Sequence, residues 1–346
     1  MTAVRPRVLD LFAGPGGWSE GLRALGLRDV GIESDAVACA TRAAAGHATI
    51  RADVAAYPTA PFRGKVDGLI ASPPCQTFSA AGRRAGSKDQ ELCHQALEEL
   101  ARGRDTRDVL RDACADARSL LVVEPVRYAL AVRPEWIALE EVPAVAVLFT
   151  HMAGILRGAG YSVWVGVLNA ADYGVPQTRR RAFLLASRTR PASPPEPTHA
   201  ENPGPDTLFG PALKPWVTMA DALGWGYTKR PAPTVTGGGA GSGGAEPLGN
   251  ASRKAMRAAM ADPRHWAWKR PAYTLSGTVG HVGGKQTSGH LNLEPEEGAR
   301  LQSFRKGYPF QGNKGQRSLQ IGNAVPPLLA TAVLHALLPV QAEVAA

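Results

Sequence analysis

Short apolar runs interleaved with alanine-rich, helically spaced stretches occupy the first 190 residues, and this alternation constrains the fold more than any other feature. Val8–Phe12, Val30–Glu33, Val66–Ser72, Trp136–Val142, Tyr161–Leu168 and Ala182–Ser187 read as strands. Glu20–Ala24 and Asp35–Ala45 read as helices between them. A strand–helix alternation of this kind predicts βαβ units wound into a mostly parallel, doubly wound α/β sheet. In such sheets ligands sit beyond the C-terminal strand ends, so residues at those ends carry the functional argument.

The pattern breaks after Ser187, where RTRPASPPEPTHAENPGPD is too rich in proline for regular structure. From about 215 to 300 the chain is rich in Gly, Thr, Ser and Trp and lacks apolar periodicity, which predicts a small loop-rich domain. KRPAPTVTG at 229–237 is echoed by KRPAYTLSG at 269–277. Two copies are too few for a solenoid and read as paired strand-and-turn elements. Apolar Pro326–Pro339 reads as a helix that returns to the first domain. The expected division is therefore 1–187 plus 318–346, with 188–317 inserted.

Composition excludes some classes. No apolar run approaches the ~18 residues of a membrane span, and MTAVRPRVLDLF lacks the apolar core of a secretory signal. The four cysteines (Cys39, Cys75, Cys93, Cys114) show no zinc-like spacing, so neither a metal nor a disulfide framework is expected, and a cytoplasmic setting is. Lys plus Arg exceed Asp plus Glu by nine (39 against 30). That excess is compatible with a phosphate-contacting face but does not establish one.

Asp10-Leu11-Phe12-Ala13-Gly14-Pro15-Gly16-Gly17 follows the first strand and opens a helix. Its glycines let backbone approach a ligand, and the helix N-terminus favours a carboxylate or phosphate. The spacing is GxGG rather than the dinucleotide GxGxxG, which disfavours hydride chemistry. Glu33 and Asp53 taken alone read as solvated acids. Placed after successive strands behind a GxGG turn, they are suited to ribose hydroxyls and an adenine amino group, and so to a nucleoside cofactor. In Ser72-Pro73-Pro74-Cys75-Gln76-Thr77-Phe78-Ser79 two prolines deny the chain helical geometry just where a strand runs out. Most lone cysteines are inert core residues, but Cys75 is poorly placed for that and reads as a nucleophile.

These segments, with Gln177-Thr178-Arg179-Arg180-Arg181 and Gly322-Asn323-Ala324-Val325-Pro326-Pro327, resemble in order and spacing the motifs of the DNA (cytosine-5) methyltransferase family. The resemblance covers the first domain and the C-terminal return. It implies a Rossmann-like class I methyltransferase fold with an inserted target-recognition domain. It also implies S-adenosylmethionine as methyl donor, S-adenosylhomocysteine as product, no metal, and a short specific sequence in double-stranded DNA as substrate. The chemistry it implies is addition of the Cys75 thiolate to C6 of a flipped-out cytosine, which makes C5 able to attack a methyl sulfonium. Glu140 would serve N3 of the base, Arg181 the base oxygen, and Arg179 would support the acid. Phe12, Ala13, Gly14, Gly16, Gly17, Glu33, Ser34, Asp53, Pro74, Asn323 and Val325 would contact the cofactor. Ser34 stands where the family often has a bulky ring, and Trp18 is a substitute cover for the adenine.

DNA contacts are expected from Gln76, Ser79, Arg83 and Arg84 in the glycine-rich stretch 79–89, and from Gln177, Thr274 and Leu275. Arg300–Phe304 is expected to form an amphipathic helix that braces the inserted domain. One departure stands out: the family usually has Glu-Asn-Val where this chain has Glu140-Glu141-Val142. Neighbours on a strand point to opposite sides, so Glu141 is expected to face away from the base, with an arginine as its candidate partner. The resemblance further implies a monomer on DNA and a cognate restriction endonuclease as candidate partner. RNA (tRNA) cytosine methylation, a non-catalytic DNA-binding protein on the same fold, and methylation of a free nucleotide remain alternatives. The absence of any cysteine after Cys114 counts against the first, and the presence of Cys75 and Glu140 against the second. The basic charge balance and the separate glycine-rich domain count against the third.

Overall fold

The computed structural model describes residues 7–74, 78, 88–206, 212–224, 232–233 and 293–338. By contact density the chain divides into two units. The first comprises residues 1–168, 180–196 and 330–346, and the second residues 169–179 and 197–329.

The first unit is built on strands β1 (Val8–Leu11), β2 (Asp29–Glu33), β3 (Ala48–Arg51), β4 (Gly68–Ala71) and β5 (Trp136–Glu141). With β6 (Ser162–Asn169) and β8 (Arg180–Ser187) they form one sheet in the order β3-β2-β1-β4-β5-β8-β6. Strands β1 to β5 pair in parallel, and β8 runs antiparallel to β5. This is the mostly parallel, doubly wound sheet that the alternation predicts. Each expected strand is present, with ends shifted by one or two residues. The central strands β1, β4 and β5 are buried along their whole length, whereas edge strands β3 and β6 are partly exposed. The central strands are largely apolar for that reason, since both of their faces are covered.

The chain runs outward from β1 to β2 and β3, then returns to lay β4 on the other side of β1. The loops leaving β1 and β4 therefore diverge from adjacent strands, which creates the crevice where such sheets bind ligands. The Ser72 amide donates to the Leu11 carbonyl (3.4 Å), holding the two loops together at their roots.

Helices α1 (Gly17–Ala24) and α2 (Ala36–Ala45) follow β1 and β2. Asp35 caps α2 by accepting from the Ala38 amide at 2.7 Å. Residue Arg42 of α2 is fully buried, donating to Asp29 (2.9 Å), Ser19 (2.9 Å) and Thr49 (2.8 Å). Only a glycine at position 31 leaves it room, because a Cβ there would lie 2.4 Å from the Arg42 Nη2. Farther along come α3 (Gln90–Ala101), α4 (Arg107–Ala113), α5 (Glu124–Val132) and α6 (Ala146–Gly158).

The second unit contains short strand β7 (Gln177–Thr178) paired with β11 (Ala232–Pro233), and β9 (His199–Ala200) paired with β10 (Lys214–Pro215). It also holds α7 (Met219–Leu223), α8 (Pro295–Leu301) and α9 (Lys314–Asn323). Asn313 and Gln316 cap α9 reciprocally, at 3.0 and 2.9 Å. The expected helix over Arg300–Phe304 ends at Leu301, because Ser303 takes the left-handed conformation (φ 62°) and turns the chain. The return helix α10 spans Pro327–Leu337, within the expected stretch. No described helix is long and apolar enough to cross a membrane.

Candidate active site

At the C-terminal end of β1 the backbone takes left-handed turns at Phe12 (φ 58°), Gly14 (φ 52°) and Gly16 (φ 103°). A positive φ at Phe12 is unusual for a residue with a Cβ and persists only where surrounding structure holds it. A Cβ on Gly14 would meet nothing within 4 Å, so open space lies over the turn. Glu33, at the end of β2, accepts from the amides of Gly14 (2.8 Å) and Asp35 (2.7 Å). It thereby fixes the turn from below while remaining half-buried. Ser34 and Asp53 are exposed, Gly16 and Gly17 are buried, and one carboxylate oxygen of Asp53 accepts from the Ala55 amide at 2.9 Å. Open space over Gly14 and the two carboxylates of Glu33 and Asp53 fit a nucleoside cofactor, and Pro74 stands half-buried at the neighbouring strand end.

Trp18 is not available to cover an adenine. It is buried in the first unit, and its Nε1 donates to the Ser72 hydroxyl at 2.9 Å. Its work is to fix the residue that precedes Pro73-Pro74. Beneath the turn, burial pushes the Asp10 carboxyl well above its ordinary pKa, Asp29 adds to that rise, and Arg42 opposes it.

Glu140 lies at the C-terminal end of β5, with 5% of its surface exposed. The β4–β5 register pairs Ala71 with Leu139, so Glu140 and Ser72 emerge side by side. The Arg181 Nε sits 3.2 Å from the Glu140 carboxylate, as an ion pair between two nearly buried side chains. Arg179, two residues earlier, is the arginine expected to support the acid. Arg179 belongs to the second unit, where its Nη1 donates to the Gly322 carbonyl at 2.9 Å. Gln177, expected at the DNA, is fully buried in the same unit and donates to the side chain of Gln302 (2.9 Å). Gln302 passes the connection on to the Ile321 carbonyl at 2.7 Å. The bracing expected of Arg300–Phe304 thus runs through Gln302, a role that a glutamine in an exposed-looking sequence does not advertise. Asn323 is exposed and Val325 buried in that unit.

Glu141 is 1% exposed. One oxygen accepts from the Val142 amide at 2.5 Å, and the other is buried without a hydrogen bond among the described residues. No described arginine forms an ion pair with it. Burial raises its pKa well above the ordinary value, the Val142 hydrogen bond opposes the rise, Glu140 adds to it, and Arg181 opposes it. Burial therefore favours the protonated form of this carboxyl. Cys75, Gln76, Ser79, Arg83, Arg84, Thr274 and Leu275 lie outside the described residues.

The wound sheet thus presents the β1 turn, the Ser72-Pro73-Pro74 end of β4 and the Arg181-paired Glu140 of β5 at the C-terminal ends of neighbouring strands. The sequence pattern of the C-5 cytosine-specific DNA methylase family matches residues 6–98 and 110–338. The chain belongs to that family and is a DNA (cytosine-5) methyltransferase. It is 29% identical to the type II methyltransferase M1.HphI of Haemophilus parahaemolyticus, over 95% of this chain and 86% of the relative. It is 30% identical to M.AplI of Arthrospira platensis, over 94% and 84% respectively. Among solved structures it resembles a DNA modification methyltransferase encoded within an E. coli prophage (TM-score 0.56, 19% identity, 96% of this chain and 98% of that one). It likewise resembles the S. pombe Dnmt2 methyltransferase (TM-score 0.56, 13% identity, 96% and 98%). At those identities the structures speak for the fold alone.

Proposed function

We propose that this enzyme methylates a flipped-out cytosine within a short specific sequence of duplex DNA, with Cys75 as nucleophile. The observation that carries this reading is the Arg181–Glu140 pair at the strand end beside Ser72-Pro73-Pro74, directly ahead of Cys75. The Cys75 thiolate adds to C6 of the base while Glu140 supplies a hydrogen bond or proton at N3, where negative charge develops. Arg181, already oriented by Glu140, binds the base oxygen. S-adenosylmethionine, when bound, supplies an electrophilic methyl to C5. Loss of the C5 proton and expulsion of the thiolate then return Cys75 and release 5-methylcytosine. Extruding the base costs a few kcal/mol, which contacts from the 79–89 stretch offset.

Phe12, Ala13, the Gly14–Gly17 turn and Pro74 would hold the methionine and adenosine portions of the cofactor. Glu33 would take the ribose, and Asp53 with neighbouring Ser34 the adenine. Asn323 and Val325 would serve the methionine end. Gln76, Ser79, Arg83, Arg84, Thr274 and Leu275 are proposed DNA contacts, and residues 188–317 the target-recognition domain. A monomer acting on cytoplasmic DNA, beside a cognate restriction endonuclease, completes the reading. The test is transfer of labelled methyl from AdoMet to mixed-sequence duplex DNA, with total tRNA in parallel, for the native protein and Cys75→Ser. Label at C5 of DNA cytosine that disappears in Cys75→Ser is expected. Label in tRNA alone, or undiminished label in Cys75→Ser, would overturn the reading.

A further inference from the structure

The loop after β3 carries Asp53, and its backbone carbonyls are unusually well attended. Arg127 Nη2 donates to Val54 O (2.7 Å) and Tyr57 O (3.3 Å), and the Tyr128 hydroxyl also reaches Val54 O (3.2 Å). The Ala55 carbonyl accepts from Arg107 Nη1 at 3.3 Å. Ala55 is the same residue whose amide holds the Asp53 carboxylate at 2.9 Å. Arg107 is itself pinned: Asp105 takes its Nε and Nη2 at 2.8 and 2.7 Å, and buried Glu124 pairs with its Nη1. Glu124 in turn holds Arg127 Nε at 2.7 Å, so one buried carboxylate aims both guanidiniums at the loop. Burial works against the Arg107 charge, but the hydrogen bonds to Asp105 and Glu124 outweigh it and raise its pKa.

Arg107 lies in residues 99–109, the stretch that the family pattern skips. We propose that Arg107 is a positioning residue for the adenine end of the cofactor: it fixes Ala55 and hence the Asp53 carboxylate that accepts the adenine 6-amino group. The inference rests on the proposed adenine role of Asp53. A guanidinium suits the task, because its planar fork serves Asp105 through two donors while a third reaches Ala55 and Glu124. Without it, the Ala55 carbonyl keeps only the longer hydrogen bond from Arg127 Nη2 (3.5 Å), and the angle at which Ala55 presents its amide to Asp53 loosens. Affinity for the purine then falls through one hydrogen bond, not through the whole pocket.

The test compares S-adenosylhomocysteine with its analogue lacking the 6-amino group, by titration calorimetry on the full-length native protein, Arg107→Met and Asp105→Asn. The native enzyme should prefer the amino form by about ten-fold or more, as expected for a hydrogen bond to a charged acceptor. Arg107→Met should lose most of that preference, with affinity for the analogue changed less than about two-fold and the KM for AdoMet raised more than kcat is lowered. Asp105→Asn, at an exposed position, should move the same way by a smaller factor and serves if Arg107→Met does not fold. An equal loss of both ligands, or an unchanged preference in both variants, would overturn the proposal. No preference in the native enzyme would overturn the adenine role of Asp53 as well, and failure of the native enzyme to bind either ligand would overturn the cofactor reading beneath it.

Discussion

Replacing Glu141 by glutamine should remove a pH-dependent loss of stability that the native protein carries. The Glu141 carboxyl is buried at the end of β5, has its pKa raised by burial and by Glu140, and has one oxygen without a hydrogen bond among the described residues. In the unfolded chain it titrates near the ordinary glutamate value of about 4.3. The folded state binds the proton more tightly than the unfolded state. The contribution is therefore fully present below about pH 4 and is lost progressively as pH rises toward the folded pKa. Within that window the folded protein carries one proton more than the unfolded chain, so stability falls by about 1.4 kcal/mol per pH unit.

Glutamine has the same shape and no proton to release. As pH rises above about 5 the native protein should lose stability relative to Glu141→Gln until the folded carboxyl ionises. Urea unfolding at several pH values, followed by tryptophan fluorescence, measures this, since Trp136 is buried on the same strand. Asp10 and the other titrating groups are common to both proteins and cancel in the difference. Parallel stability curves over the interval would refute the argument that Glu141 is buried and neutral.

Three further outcomes follow from the packing under the cofactor turn. Arg42→Met strands the Asp29 carboxylate that Arg42 meets at 2.9 Å, and should cost about 3–5 kcal/mol in thermal or urea denaturation. Gly31→Ala places a methyl 2.4 Å from the Arg42 Nη2 and 2.6 Å from the Ala13 Cβ. It should cost about 1–3 kcal/mol and weaken AdoMet binding by displacing the turn, read by calorimetry. Ser72→Ala leaves the buried Trp18 indole N–H without its acceptor, costing about 1–3 kcal/mol. It should also lower kcat more than it raises the KM for AdoMet, because Ser72 leads into Pro73-Pro74-Cys75.

The sheet was legible because its central strands are buried on both faces. Apart from Asp10 and the Glu140-Glu141 end of β5, Val8–Leu11, Gly68–Ala71 and Trp136–Glu141 are apolar, and such runs stand out from alanine-rich helices. The turn at Gly14 and the position of Glu140 were legible because a glycine-rich turn and a carboxylate stand out at the ends of apolar strands. What the sequence concealed was pairing across distance. Arg42 sits in an ordinary helical run, and nothing local says that it enters the core to meet Asp29. Gln177 lies beside three arginines and reads as part of a polar edge, yet it is buried against Gln302, which lies 125 positions away. Arg107 reads as one charge in an exposed, arginine-rich stretch, although its guanidinium ends on Ala55 and Glu124. A single chain reports residue type and period directly, whereas it reports a partner only once the fold has brought the two together.

Protonation lets the site accept glutamate where the family usually has asparagine. A protonated carboxyl offers one donor and one acceptor, much as a carboxamide does, and adds no charge. The Glu140–Arg181 pair then remains balanced. Were Glu141 ionised, a second carboxylate beside Glu140 would disfavour its charged form and weaken its hold on Arg181. Two measurements must therefore break at one pH. The stability difference between native protein and Glu141→Gln stops growing where the folded carboxyl ionises, and from that pH upward the native kcat should fall relative to the variant. If the stability difference levels off while the ratio of kcat values stays constant through the same pH, Glu141 is electrostatically isolated from Glu140, and its neutrality serves the fold alone.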